Sequence, residues 1–481
     1  MKVVDGWGNL GEGVLRIETA NRTRAFQPVR KFGLGAVTEQ RTVSHGDMAN
    51  TQGRLIGSGA FRGTHQKECV MDVVNPRCCG IDVHKASVCA CISIKEGNQS
   101  RKEKRRFDTT TAQLRELAAW LGEWKITRVA MEATGVYWKP VWNVLEEGFE
   151  LLLVNPQHLK SIPGKKTDFK DGERIADLLQ HGLLRGSFVP PRPIRELRDL
   201  TRMRATLAQE RSSVISRIEK TLEDPNLKLG VVASDVVGVS GRAILNAIVR
   251  GETDAAQLAE MAKGTLRNKI PQLRLALEGN ITEHHRFLLG QWLEMLDFIE
   301  RQMRTLERQI EDKSHPFEAL LQTWMQVPGL RRINAYSLLA EIGAEMQQFP
   351  TAAHLASWAA VCPGNRESAG KQASGRTCPG NPWLRRTLCE AAWAASRTKN
   401  SYFRALYQRK VRTRGKNRAL IAVAHSLLVT VYSFTTAGQP YRDLGLDYFD
   451  RLNRQHLERS LVKRLEKLGN HVTLEPTHPA V

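Results

Sequence analysis

The most restrictive feature of this sequence is a carboxylate set inside an apolar, β-branched run. From Cys78 the chain reads CCGIDVHKASVCACISI, whose alternation and β-branched residues predict a first strand. Asp82 lies within it. An unpaired carboxylate among apolar side chains is costly, so Asp82 requires a cation, a metal, hydrogen-bond donors or a strand edge facing a cleft. An exposed strand position is the alternative. Residues 1–76 ahead of it are rich in Gly, Arg, Thr and Gln and keep no sustained period, which predicts a poorly ordered extension. Met71, just before the first strand, is an alternative start.

More carboxylates follow at element ends. A basic break (Lys102, Lys104, Arg105, Arg106) precedes a helix near 110–122, and TRVAMEATGVYWKPVWNVLEE reads as a short strand, a turn and a helix. Glu132 closes that strand, Gly135 permits the tight turn, and LLLVNP reads as another strand. In KKTDFKDGERIADLL (165–179), Asp168 and Asp171 stand three residues apart and share one face if the segment is helical. Ile175, Ala176, Leu178 and Leu179 are available to bury the other face, and Lys165 and Lys166 suit a phosphate. An N-cap with a solvated acidic turn is the competing reading. Asp82, Glu132, Asp168 and Asp171 together offer the hard oxygens that Mg²⁺ or Mn²⁺ prefers. Two such ions roughly 3.5–4 Å apart can activate a nucleophile and stabilise a leaving oxygen.

A formal charge of +21 points to a polyanion partner, here nucleic acid. The eight cysteines contain no C-x-x-C pair, which suggests plain thiols in a reducing compartment. No apolar run approaches the length of a membrane span, about eighteen residues. The expectation is a cytoplasmic, nucleoid-associated protein without a membrane partner.

After PPRP at 190–193, read as a linker, the pattern becomes helical. Leu200, Leu207 and Val214 recur every seventh residue, amid Arg195, Arg198, Arg202, Arg204 and Arg211. Those arginines are either solvated or in contact with nucleic acid. Weaker patterning over 224–283 predicts short helices broken at Pro225 and Gly241. Leu288, Trp292, Met295, Ile299, Met303, Leu306 and Ile310 then form a stripe that reads as an antiparallel coiled coil or an oligomer seam.

MQVPGLRRINAYSLLAEIG follows, a Pro-Gly turn between helices beside Arg331, which reads equally as a phosphate-holding hairpin or a packing corner. Between helices ending near Val361 and starting near Asn381 lies a basic loop with Ser368, Lys371, Ser374 and Arg376. Such a loop can hold a nucleophile facing a phosphate, although serines there are also ordinary turn formers. Arg409, Lys410, Arg412, Arg414, Lys416 and Arg418 precede an apolar helix from Leu420 to Phe434 and would neutralise backbone phosphates. His425 on that helix reads as a packed histidine, and the tail from Ala437 as charged and partly helical.

GIDVHK, MEATGVYW and KTDFKDGERIADLL resemble the N-terminal, Holliday-junction-resolvase-like (RNase H fold) domain of the DEDD transposases of the insertion-sequence "one-ten" family, the bridge-RNA-guided recombinases. PGNRESAGK, SGRT and GNPWLRRTL resemble that family's C-terminal transposase domain, so the resemblance spans about residues 77–435. It implies that Asp82, Glu132, Asp168 and Asp171 are the metal-holding DEDD tetrad, and that Ser368 is the nucleophile with Ser374 in reserve. It also implies donor and target DNA, a noncoding guide RNA and a homo-oligomer, dimer or tetramer. Gly172 departs from the pattern, where Ala is expected.

The expected fold is α/β plus α. A RuvC-like catalytic domain at 77–190 is followed by a helical coiled-coil domain at 191–320, a mainly helical transposase domain at 321–436 and a charged tail at 437–481. The rival functions are a structure-specific endonuclease using the same metals with water, and a non-catalytic nucleic-acid-binding remnant.

Overall fold

The apolar run that starts at Cys78 folds back on itself rather than making one strand. In the computed structural model, which describes residues 72–97, 99–161, 171–363, 366–368, 371–374, 377 and 380–474, it forms β1 (Arg77–Val83) and β2 (Ser87–Glu96), antiparallel partners across a short reversal. The basic break that follows is also a strand, β3 (Gln99–Asp108), laddered to β2. Its only buried residue is Phe107, so no apolar alternation announces it. Lysines and arginines along such an edge discourage pairing with other chains.

The chain divides into two compact units. Among the described residues, the first takes those up to Ala130, Pro140–Glu150 and those from Asp171 to Leu184, and the second takes the others. In the first, α1 (Thr111–Glu123) is capped by the Thr110 hydroxyl, which accepts from the Gln113 amide. Its Trp120 packs on Phe107 with ring centroids 5.6 Å apart. Along the chain follow β4 (Arg128–Glu132), α2 (Trp138–Leu145), β5 (Glu150–Val154), α3 (Pro156–Ser161) and α4 (Asp171–Gln180), of which the end of β4, most of β5 and α3 are counted with the second unit. Gly135, at φ +54°, makes the turn into α2. The sheet order is β3-β2-β1-β4-β5.

α4 lies directly on β1 and β2. It buries Ile175, Ala176 and Leu179, while Leu178 is half-buried. Two glycines set the approach. A Cβ on Gly80 would fall 2.2 Å from the Gly172 carbonyl oxygen and 2.3 Å from the Ala176 nitrogen, and one on Gly172 would fall 3.0 Å from the Cys89 oxygen. Gly172 is therefore more than a weak helix former. Its helix-propensity cost, up to about 1 kcal/mol, comes with a close helix–sheet approach. Gly80→Ala is expected to destabilise this unit by about 3 kcal/mol through a backbone clash, and Gly172→Ala by no more than about 1 kcal/mol. Scanning calorimetry checks this, and equal melting of the two variants would refute the packing argument.

From Arg185 on, the second unit is mainly helical. α5 (Arg192–Glu223) starts inside the expected linker, because proline in the first helical turn lacks only an amide that would have no partner there. Short helices follow: α6 (Leu229–Val232), α7 (Val239–Val249), α8 (Ala255–Glu260) and α9 (Ile270–Leu277). Gly241 does not break the chain but sits inside α7, where a Cβ would meet the Val236 oxygen at 2.0 Å. α10 (Glu283–Ser314) runs antiparallel to α5, as the ion pairs Glu196–Lys313, Arg204–Glu307 and Arg211–Glu300 show. Its buried stripe is Leu289, Leu293, Leu296, Ile299, Leu306 and Ile310. The expected stripe is thus one residue out of register in its first half, and Met295 is exposed. Leu288, Leu289, Trp292 and Leu293 give this helix two adjacent apolar rows, and packing against α5 and α7 selects between them.

The helices between Glu318 and Ala437 share a second core. α11 (Glu318–Met325) and α12 (Arg332–Ile342) flank the Pro-Gly turn, where Gly329 has φ +90°. α13 (Ala352–Trp358) leads to strands β6 (Arg366–Ser368) and β7 (Lys371–Ser374). Next are α14 (Pro382–Ala395), α15 (Tyr402–Arg414) and α16 (Lys416–Ala437). α17 (Tyr448–Leu452) and α18 (Arg454–Glu466) complete the described chain. Contrary to expectation, α16 is by length and composition apolar enough to cross a membrane, at a mean hydropathy of 1.6. Its polar residues are mostly uncharged, which hides the run. Ala419, Val423, Ala424, Leu427, Leu428 and Val431 form its buried face. Burial holds the half-buried His425 below the usual histidine range, as expected for a packed residue.

Candidate active site

Asp82, next to last in β1, is 8 % exposed, and its Oδ2 lies 3.0 Å from His84 Nε2. Burial raises its carboxyl above the usual carboxylate range; His84 opposes that rise and Asp171 adds to it. The two carboxylates line one cleft. Asp171 is exposed and opens α4, with Glu173 in the same first turn, where the helix dipole favours negative charge. A cleft of about 420 Å³ is lined by Asp82, His84, Asp171 and Cys89, with Lys104 and Arg106 also on its wall. Hydrogen bonds from Lys104 and Lys102 lower the Glu173 carboxyl.

The thiols nearby are inert. Burial pushes Cys78 up to about 12 and Cys91 to about 11, and holds Cys79 well above its ordinary value. These groups stay protonated at neutral pH, so they do not compete as thiolate ligands. The hard oxygens of Asp82 and Asp171 suit Mg²⁺ or Mn²⁺. Among the described residues, no group of three or more His, Cys, Asp or Glu side chains stands ready to hold a metal ion.

The other expected site residues are distributed as follows. Glu132 is the half-buried last residue of β4. Lys165, Lys166, Asp168 and Arg376 lie outside the described residues. Ser368 ends β6 opposite Lys371, which opens β7, and Ser374 pairs with Arg366, so the expected loop contains a β-hairpin. Its small and charged residues carry no strand signal. Arg331 is exposed at the N-cap of α12. The basic cluster is exposed but split, with Arg409, Lys410, Arg412 and Arg414 on α15 and Lys416 and Arg418 on α16. Arg409 also covers the Phe449 ring at 5.0 Å.

The arginines of α5 overturn an expectation. Arg202 holds Glu341 at 2.7 Å, while Arg204 and Arg211 pair with α10, so these arginines are ion-paired within the chain rather than merely solvated. Nothing in the helical pattern marks the acids they meet. Sequence reasoning also passed over His84, although it stands within GIDVHK, and gave Arg106 no role.

Comparison with known proteins gives the class first. Residues 79–225 match the DEDD-type family model described as "Transposase", and residues 321–408 match the model described as "Transposase IS116/IS110/IS902 family". The transposase for insertion sequence element IS1111A of Coxiella burnetii is 23% identical over 341 residues, covering 66% of this chain and 80% of the relative. The insertion element IS110 uncharacterized 43.6 kDa protein of Streptomyces coelicolor is 32% identical over 152 residues, or 30% of this chain and 36% of that protein. The chain belongs to the IS110 family of transposases. Membership in that family implies an enzyme that cleaves and rejoins DNA.

Proposed function

We propose that this transposase excises and inserts its element by divalent-metal-dependent strand cleavage with Ser368 as nucleophile, a noncoding bridge RNA choosing donor and target DNA. The observation that carries this reading is the buried Asp82 carboxylate beside Asp171, at a cleft that also presents cations. Asp82, Glu132, Asp168 and Asp171 would hold Mg²⁺ or Mn²⁺ in a RuvC-like catalytic domain. When bound, the metal neutralises phosphate charge and lowers the barrier to displacement. The Ser368 oxygen forms a bond to phosphorus as the bond to one deoxyribose oxygen breaks, and that oxygen leaves as a free hydroxyl carrying the proton. The protein–DNA phosphodiester keeps the bond energy for rejoining by the reverse attack.

Lys165, Lys166, Arg331, Lys371, Arg376 and the Arg409–Arg418 cluster hold the backbone without reading bases, and pairing by the RNA supplies sequence. The protein works in the cytoplasm, at the nucleoid, as a homo-oligomer. The test uses cells carrying the gene in its native flanks, which yield a PCR product across the joined element ends. Loss of that product in soluble Ser368→Ala supports the serine. Its persistence would leave a water-driven nuclease or move the role to Ser374.

A further inference from the structure

The three strands of the first unit align an acid and a base in one row. Asp82 pairs with Cys89 across β1 and β2, and Cys89 pairs with Arg106 across β2 and β3. Directly paired residues project from the same sheet face, and strands stand about 4.8 Å apart, so the two backbones are separated by roughly 10 Å. The next rows on that face are Gly80, Cys91 and Lys104, then Cys78, Ser93 and Lys102.

The basic residues of β3 are used very differently. Arg101 and Arg105 project to the opposite face, where Arg101 covers Trp124 and Arg105 pairs with Glu116 of α1. Lys102 and Lys104 are held by Glu173, and Lys102 also by Asp177, on α4. Arg106 sits in the row alongside the start of that helix and lines the cleft. It donates to a neutral group, the Ser87 hydroxyl, at 3.1 Å. The side chain paired with Asp82 is His84, at 3.0 Å, so Arg106 is not spent on that carboxylate. A guanidinium fork fits phosphate oxygens bidentately. Beside two carboxylates that repel a DNA strand, such a group offsets the repulsion.

We propose that Arg106 binds a phosphodiester of the DNA strand entering the cleft, next to the phosphate presented to Asp82 and Asp171. This rests on the cleft being the cleavage site. It assigns the edge strand β3, which carries no family motif, a part in placing substrate.

The test uses the full chain, a DNA duplex bearing the element end, and an RNA duplex of the same sequence. DNA affinity is followed against salt. Arg106→Ala and Arg106→Gln should flatten the log–log salt slope by about 0.9, the loss of one phosphate contact, while Arg106→Lys keeps it. Arg101→Ala, which removes a charge from the other face, should leave the slope unchanged. In cells, Arg106→Ala should lower joined-end yield between about tenfold and a hundredfold, as for a misplaced substrate.

Melting curves matching wild type show that the fold is intact. An unchanged slope overturns the proposal whatever the yield does, and a slope change confined to RNA overturns the DNA assignment. If wild type gives no joined ends, the cleavage reading fails, and the DNA slope still decides whether Arg106 holds a phosphate.

Discussion

Asp82→Asn should lower the yield of joined element ends by roughly a thousandfold. A bound metal supplies several kcal/mol of charge stabilisation in phosphoryl transfer, and each 1.36 kcal/mol is a factor of ten in rate. The substitution keeps size and removes charge, so it would weaken the proposed metal site without opening a cavity. Because burial already raises the Asp82 carboxyl, the amide should fold at least as well as the wild type. Asp171→Asn and Asp168→Ala should act the same way, and salt-dependent DNA binding should survive in all three, since phosphate neutralisation rests on the lysines and arginines. The assay is the PCR product across joined ends, alongside solubility and DNA affinity. Wild-type yield from Asp82→Asn would remove this carboxylate from the chemistry. Loss of yield together with loss of binding would make it structural.

The sequence discloses elements that have an apolar face and conceals those that do not. β4, the Gly135 turn, α2 and β5 are legible because Val129, Ala130 and Met131, then Val141, Trp142 and Leu145, are buried at strand and helix spacing. β3 is illegible because an edge strand buries little. Asp82 is legible as a site because a carboxylate inside an apolar strand needs a reason. Its relation to Arg106 is not, since strand pairing across 24 residues of sequence is a product of register, which no local pattern states. The α5 arginines show the converse. Their spacing suggests an exposed basic face, and only the fold supplies Glu300, Glu307 and Glu341 as partners.

Glu341→Ala should destabilise the second unit by about 3–5 kcal/mol, the usual cost of removing one partner from a buried ion pair. Glu341 on α12 is 1 % exposed. Its Oε1 and Oε2 accept from Arg202 at 2.7 and 2.9 Å, and Oε2 also accepts from Asn381 Nδ2 at 2.6 Å. Arg198 stands 3.5 Å away and donates to the Ala340 and Glu341 carbonyl oxygens. Burial already lowers the Arg198 guanidinium below its ordinary value, and the negative charge of Glu341 is what chiefly opposes that shift. Without the carboxylate, two cations face each other in a poorly solvated site. Glu341→Gln keeps the volume and an acceptor and should cost about half as much, in the range of a hydrogen bond to a charged group, roughly 1.5–3 kcal/mol. Calorimetry that melts Glu341→Ala with wild type would refute the network.

Asn381 ties this network to α14. Its Oδ1 caps α14 by accepting from the Trp383 and Leu384 amides, directly after the segment that contains β6 and β7. A network that serves only stability leaves joined-end yield intact in Glu341→Gln at temperatures where the variant is folded. A yield that falls there, with folding and DNA affinity unchanged, would show that α5 and α12 also bear on the joining reaction.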